Sequence, residues 1–95
     1  MQSGRPRLRV KWLRRALLDL DAAEAYIAQD DPSAATEVVL RIVRAVSLLK
    51  DQPGSGRAGR VPDTKELVVP HTPYIVPYRV KDDTVQILRI YHASR

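Results

Sequence analysis

The side chains with the most chemical potential crowd the end of the chain: Arg89, Tyr91, His92 and Arg95 fall within seven residues. A further pair, Arg57 and Arg60, sits in the glycine-rich stretch 53–60. Guanidinium groups stabilise charge on a phosphate, and an imidazole exchanges protons near neutral pH, so together they could work on a phosphodiester. The same arginines could instead clamp an anionic partner without chemistry. His71, between Pro70 and Thr72, reads as an exposed turn residue. With no cysteine, and two histidines 21 residues apart, neither a metal site nor a cofactor is expected.

These residues must be held by a small fold. Leu8, Val10 and Trp12 alternate with Arg7, Arg9 and Lys11, the period of a half-buried strand. From Arg14 the period becomes helical: Leu13, Ala16, Leu17, Leu20, Ala23 and Ile27 share one face of a helix ending near Gln29. Asp30-Asp31-Pro32 then stops one helix and caps the next, whose face is Ala35, Val38, Val39, Ile42, Val43, Val46 and Leu49. The stretch 53–60 reads as a mobile basic loop. Beyond it come strands at 65–69, 74–80 and 84–92, the last two joined by a hairpin at Lys81-Asp82-Asp83. Pro77 predicts a local irregularity, because proline lacks a ladder donor. The expected architecture is α+β and two-layer: βααβββ, a helical hairpin packed on a largely antiparallel four-stranded sheet. One domain spanning 1–95 is expected, with 1–6 flexible.

The chain is 44% hydrophobic and 28% charged, a balance that argues against disorder. Its net charge of +5 is unevenly spread: residues 1–15 carry +6, 16–40 carry −6, 41–60 carry +4 and 61–95 carry +1. Such a distribution attracts a polyanion, nucleic acid or acidic protein alike. No apolar run approaches the roughly 20 residues of a membrane helix, so no membrane association or export is expected, and the absence of cysteine fits a cytoplasmic location.

The strand Arg9-Val10-Lys11-Trp12, the helical hairpin with Asp19-Leu20 and Tyr26-Ile27, the stretch 59–70, the strand 73–80 and the ending 87–95 together resemble the RelE/ParE superfamily of bacterial type II toxins. The resemblance implies the same βααβββ fold and a toxin neutralised by a cognate antitoxin. It also implies one of two activities. RelE-like members cleave messenger RNA on the ribosome, whereas ParE-like members poison DNA gyrase.

RelE-like enzymes carry two lysines in the strand after the loop, and many place an arginine after the tyrosine that opens the next. The matching positions here are Glu66, Val68 and Ile75. The expected function is therefore ParE-like inhibition of gyrase by protein binding, on a sheet surface poor in cations. The alternative is a RelE-like ribosome-dependent endonuclease using Arg60, Arg89, Tyr91, His92 and Arg95. A third reading is a non-toxic interaction module. Leu17, Leu20, Ile27, Arg57, Arg60, Tyr74 and Tyr78 are the residues expected to bind antitoxin or target, with Tyr74 and Tyr78 forming a patch on one strand face. Alternation from Val85 and Ile87 places Arg89 and Tyr91 on the same face as that apolar pair.

Overall fold

A computed structural model describes residues 8–94; the expectation of a flexible 1–6 lies outside them. The chain runs β1 (Arg9–Trp12), α1 (Arg14–Ala28), α2 (Pro32–Ser47), a short 3-10 turn (Leu48–Lys50), β2 (Arg57–Ala58), β3 (Lys65–Val68), β4 (Tyr74–Lys81), β5 (Thr84–Ile87) and β6 (Tyr91–His92). The two helices form a hairpin on one face of a single sheet ordered β1-β5-β4-β3-β2, with β6 also paired to β4. The two-layer α+β expectation holds. The sheet is mixed, because β1 lies parallel to β5, with Val10 beside Val85.

The second helix starts where its capping signal lies. The Asp31 carboxylate accepts a hydrogen bond from the Ala34 amide at 3.1 Å, and Pro32 occupies the first turn. Bonds to that amide and to the Ser33 hydroxyl hold the Asp31 carboxyl below its ordinary value of 3.8. Its stabilising contribution is therefore complete above about pH 4 and fades as pH falls through the lowered folded-state value. Asp31→Ala is expected to lower the melting temperature at neutral pH. In thermal scans the gap from the parent should close in strong acid.

Ala16, Ile42, Val46 and Leu49 of the helical layer pack on Val76, Tyr78, Val85 and Ile87 of the sheet. At the hairpin joining β4 to β5, Lys81 pairs with Thr84, leaving Asp82 and Asp83 as a two-residue turn with φ of 52° and 60°. Two consecutive left-handed residues match the twist of the strands they join.

Two segments depart from expectation. The stretch 53–60 is not a free loop: Arg57 pairs with Glu66 and Ala58 with Lys65, adding an edge strand to the sheet. It is fastened from below by Tyr78, whose hydroxyl donates to the Pro53 carbonyl at 2.7 Å and accepts from the Gly56 amide at 2.9 Å. A Cβ on Gly56 would lie 2.7 Å from the Tyr78 ring, so glycine is what lets the backbone approach. Tyr78 is fully buried and Tyr74 only 3% exposed, so the expected tyrosine patch for a partner is corrected: both rings belong to the core.

The second departure is at Pro77. Tyr78 pairs with Ile87 and Ile75 with Tyr91, so two residues of β4, Val76 and Pro77, face three on the other strand, Leu88, Arg89 and Ile90. The extra residue is a β-bulge. Pro77 accepts from the Leu88 amide through its carbonyl, at 2.9 Å. Its nitrogen points to the same side and has no proton to return, so the ladder breaks there.

Candidate functional site

The bulge decides which chemistry-bearing side chains meet. Residues directly opposite each other share a sheet face, so Tyr91 lies on the face of Ile75 and His92 on that of Tyr74. Val85 and Ile87 belong to the helix-covered face, as Tyr74, Val76 and Tyr78 do. Tyr91 has therefore crossed to the open face, and the expectation that it shares a face with Val85 and Ile87 is corrected. One extra residue reverses everything that follows it.

On the open face a cleft of about 360 Å³ is lined by Arg60, Arg79, Arg89, Glu66, Tyr91 and the apolar side chains of Val61, Pro62, Pro77 and Leu88. The strand pairings also place Arg57, Lys81, Arg9 and Lys11 on this face. The expectation of a cation-poor surface is thus corrected: arginines from three separate segments line one cleft. Substitution at Glu66, Val68 and Ile75 did not empty it, because Arg79 and the 57–60 stretch supply charge from elsewhere.

Arg89 and Arg79 already have acceptors, and Arg60 has a looser ion pair. Arg89 donates through Nε to Asp19 Oδ2 at 2.7 Å and through its terminal nitrogen to Oδ1 at 3.4 Å. The same carboxylate accepts from the Ile90 amide at 3.0 Å, which satisfies a donor exposed by the bulge. The hydrogen bond to the Asp19 carboxylate, with its charge, raises the Arg89 pKa above its already high ordinary value. Arg79 donates to the Gln86 side chain at 2.6 Å. Arg60 lies 3.8 Å from the Glu66 carboxylate and 5.5 Å over the Tyr91 ring, a cation–π contact.

Glu66 is the buried charged residue of the sheet, 5% exposed. One of its oxygens meets Arg57 at 3.4 Å and the other accepts from the Arg60 amide at 3.3 Å. A buried carboxylate needs such partners, and it draws the arginine segment onto β3. The loop that follows is closed by the Gly59 amide on the Thr64 carbonyl at 2.8 Å.

His92 does not line this cleft. It belongs to a second pocket, of about 390 Å³, with Asp19, Tyr26 and Tyr74 and with Arg89 and Tyr91 at the shared wall. Its ring stands edge-on to Tyr74 at 5.4 Å. The Ser94 amide donates to its Nδ1 at 3.1 Å, so that nitrogen acts as an acceptor and the proton of a neutral ring sits on Nε2. Of the residues expected for catalysis, Arg60, Arg89 and Tyr91 therefore converge, His92 turns to the other pocket, and Arg95 lies outside the described residues.

Of the expected helix contacts, Leu17 is half exposed, whereas Leu20 and Ile27 pack partly against the core. Sequence reasoning missed Asp19 and Arg79. Arg79 was legible as the polar member of an alternating strand. Nothing in α1 marked Asp19 as the acceptor for a residue 70 positions away.

The profile of the family described as ParE toxin of type II toxin-antitoxin system, parDE, matches residues 10–95. The chain is similar to Y4kP of Sinorhizobium fredii, with 52% identity over 89 residues covering 94% of this chain and 92% of that protein. It is 42% identical to the toxin RelE2 of Caulobacter vibrioides over 86 residues, 90% of this chain and 96% of that one. A solved structure of the chromosomal ParDE toxin-antitoxin system of P. aeruginosa superposes with a TM-score of 0.82 at 36% identity, covering 92% of this chain and 97% of that one. With the mixed sheet and helical hairpin these likenesses agree, and the chain belongs to the ParE family of type II toxin-antitoxin toxins.

Proposed function

We propose that this toxin acts by binding a protein, inhibiting DNA gyrase in the ParE manner, and that a cognate antitoxin neutralises it. The observation carrying this reading is the separation of His92 from Arg60 and Arg79: its pocket shares Arg89 with the cleft, and that guanidinium is held by Asp19. Cleaving RNA through its own ribose requires a group that takes the 2′-hydroxyl proton beside cations that stabilise the phosphate. In the cleft the sole carboxylate among the described lining residues is Glu66, which is buried and already holds the Arg57 side chain and the Arg60 amide. Two arginines are engaged by carboxylates and the third by an amide, an arrangement for holding shape and charge.

The antitoxin has a separate surface available on the helical layer. Leu17, Leu18 and Tyr26 of α1 and Leu40 and Val43 of α2 are exposed and apolar, suited to an amphipathic segment that folds on binding.

The convergence of Arg60, Arg79 and Arg89 favours a second reading, ribosome-dependent cleavage of messenger RNA by a RelE-like mechanism. Purified toxin added to a gyrase supercoiling assay, and separately to translating ribosomes, decides between them. Loss of supercoiling with intact messenger is the expected result. Cleaved messenger with intact supercoiling would establish the second reading and overturn the first.

A further inference from the structure

We infer that the cleft between the 60–64 loop and the open face of β4 and β5 is a docking site for a short acidic segment bearing apolar side chains, supplied by the protein that the toxin inhibits. The inference rests on the protein-binding reading and names the chemistry of the partner.

Two features select this occupant. The floor is apolar: Pro77 and Leu88 line it, and Pro62 and the exposed Val61 extend it to the edge, so the apolar side chains form one contiguous strip between the arginines. The walls are cationic, and two of their guanidinium groups hold replaceable partners. Arg79 rests on the neutral amide of Gln86, which an incoming carboxylate outcompetes because it adds a full opposite charge and can pair with the guanidinium in bidentate fashion. Arg60 is 76% exposed and only 3.8 Å from Glu66, leaving most of its donors for a second carboxylate. Arg89 is different. Its bidentate bond to Asp19 makes it part of the wall.

The same features disfavour a nucleic-acid strand. The Arg60 amide, which would serve a phosphate, is spent on Glu66, and the Tyr91 ring, which would stack on a base, lies under Arg60. Acidic residues alternating with apolar ones meet both walls and floor.

The test titrates the purified full chain with a labelled peptide alternating glutamate and leucine, and in parallel with an oligouridylate of equal charge, following fluorescence anisotropy. Arg79→Glu and Val61→Asp, both at the surface, are each expected to weaken peptide binding at least about tenfold. Lys81→Glu, on the same face but outside the cleft, is expected to change it less than about threefold. Equal loss in all three variants, or none at Val61→Asp, would reduce the effect to diffuse charge and overturn the inference. Tighter binding of oligouridylate with the same variant dependence would overturn it in favour of nucleic acid. In the gyrase assay the two cleft variants should lose inhibition. Inhibition retained by both overturns the docking site but keeps the gyrase reading. A parent chain that never inhibits gyrase sinks that reading, while the titration still judges the cleft.

Discussion

Tyr78→Ala is expected to destabilise the fold by about 4 kcal/mol, the range for emptying an aromatic site in a packed core. Tyr78 is fully buried between Val76, Ile87 and the helical layer. Its hydroxyl also joins the Pro53 carbonyl to the Gly56 amide, so truncation removes the anchor of β2 together with the ring. A small domain has roughly 5–15 kcal/mol in total, and the variant should melt many degrees lower or fail to accumulate. Tyr78→Phe separates the contributions. It keeps the ring and strands two polar groups, for a loss of about 1–2 kcal/mol in denaturant unfolding.

The pH dependence has a definite sign. Burial raises the Tyr78 phenol above its ordinary 10.0, outweighing the opposing bond from Gly56. The folded state favours the neutral phenol, so its stabilisation is intact below about pH 10 and is lost as pH rises through the raised folded-state value. Tyr78→Phe should flatten the alkaline limb of the stability profile; an alkaline limb identical in both proteins would assign that loss to other groups.

Asp19→Ala carries the second large effect, about 2 kcal/mol. The carboxylate side chain is only 15% exposed, and its removal leaves the Arg89 guanidinium and the Ile90 amide without their acceptor. A fully buried pair would cost more, but Arg89 is 45% exposed and water recovers part of the loss. Asp19→Asn keeps an oxygen for the Ile90 amide and is expected to lose about half as much. If both variants unfold at the denaturant concentration of the parent, the link from α1 to the bulge contributes nothing to stability. A double-mutant cycle with Arg89→Ala then isolates the ion pair from the amide bond.

The layers of this fold were legible because they depend on periodicities that a local window contains. The helical stripe of α2 runs from Ala35 to Leu49, and Asp31-Pro32 marks its start. Alternation likewise located β1, and β-rich runs bounded by turn residues located β3 and β4. Pro77 signalled an irregularity, but not that the added residue would fall on the opposing strand, and the faces of Arg89, Tyr91 and His92 followed from that register. Tyr74 and Tyr78 were correctly placed on one face. Which face was buried depended on the helical hairpin arriving from elsewhere. Glu66 was read as a missing cation, whereas in the fold its burial makes it the acceptor that organises the arginine stretch. Sites assembled from segments far apart in sequence carry no local pattern, which is why Asp19 emerged only from the structure.

The parallel match of β1 with β5 has a consequence for the newborn chain. Arg9 to Trp12 are made long before their neighbours Thr84 to Ile87, so the sheet cannot close until that second segment has emerged. Contacts this distant in sequence also slow spontaneous folding. The helical hairpin is therefore made before the sheet that it covers can be completed.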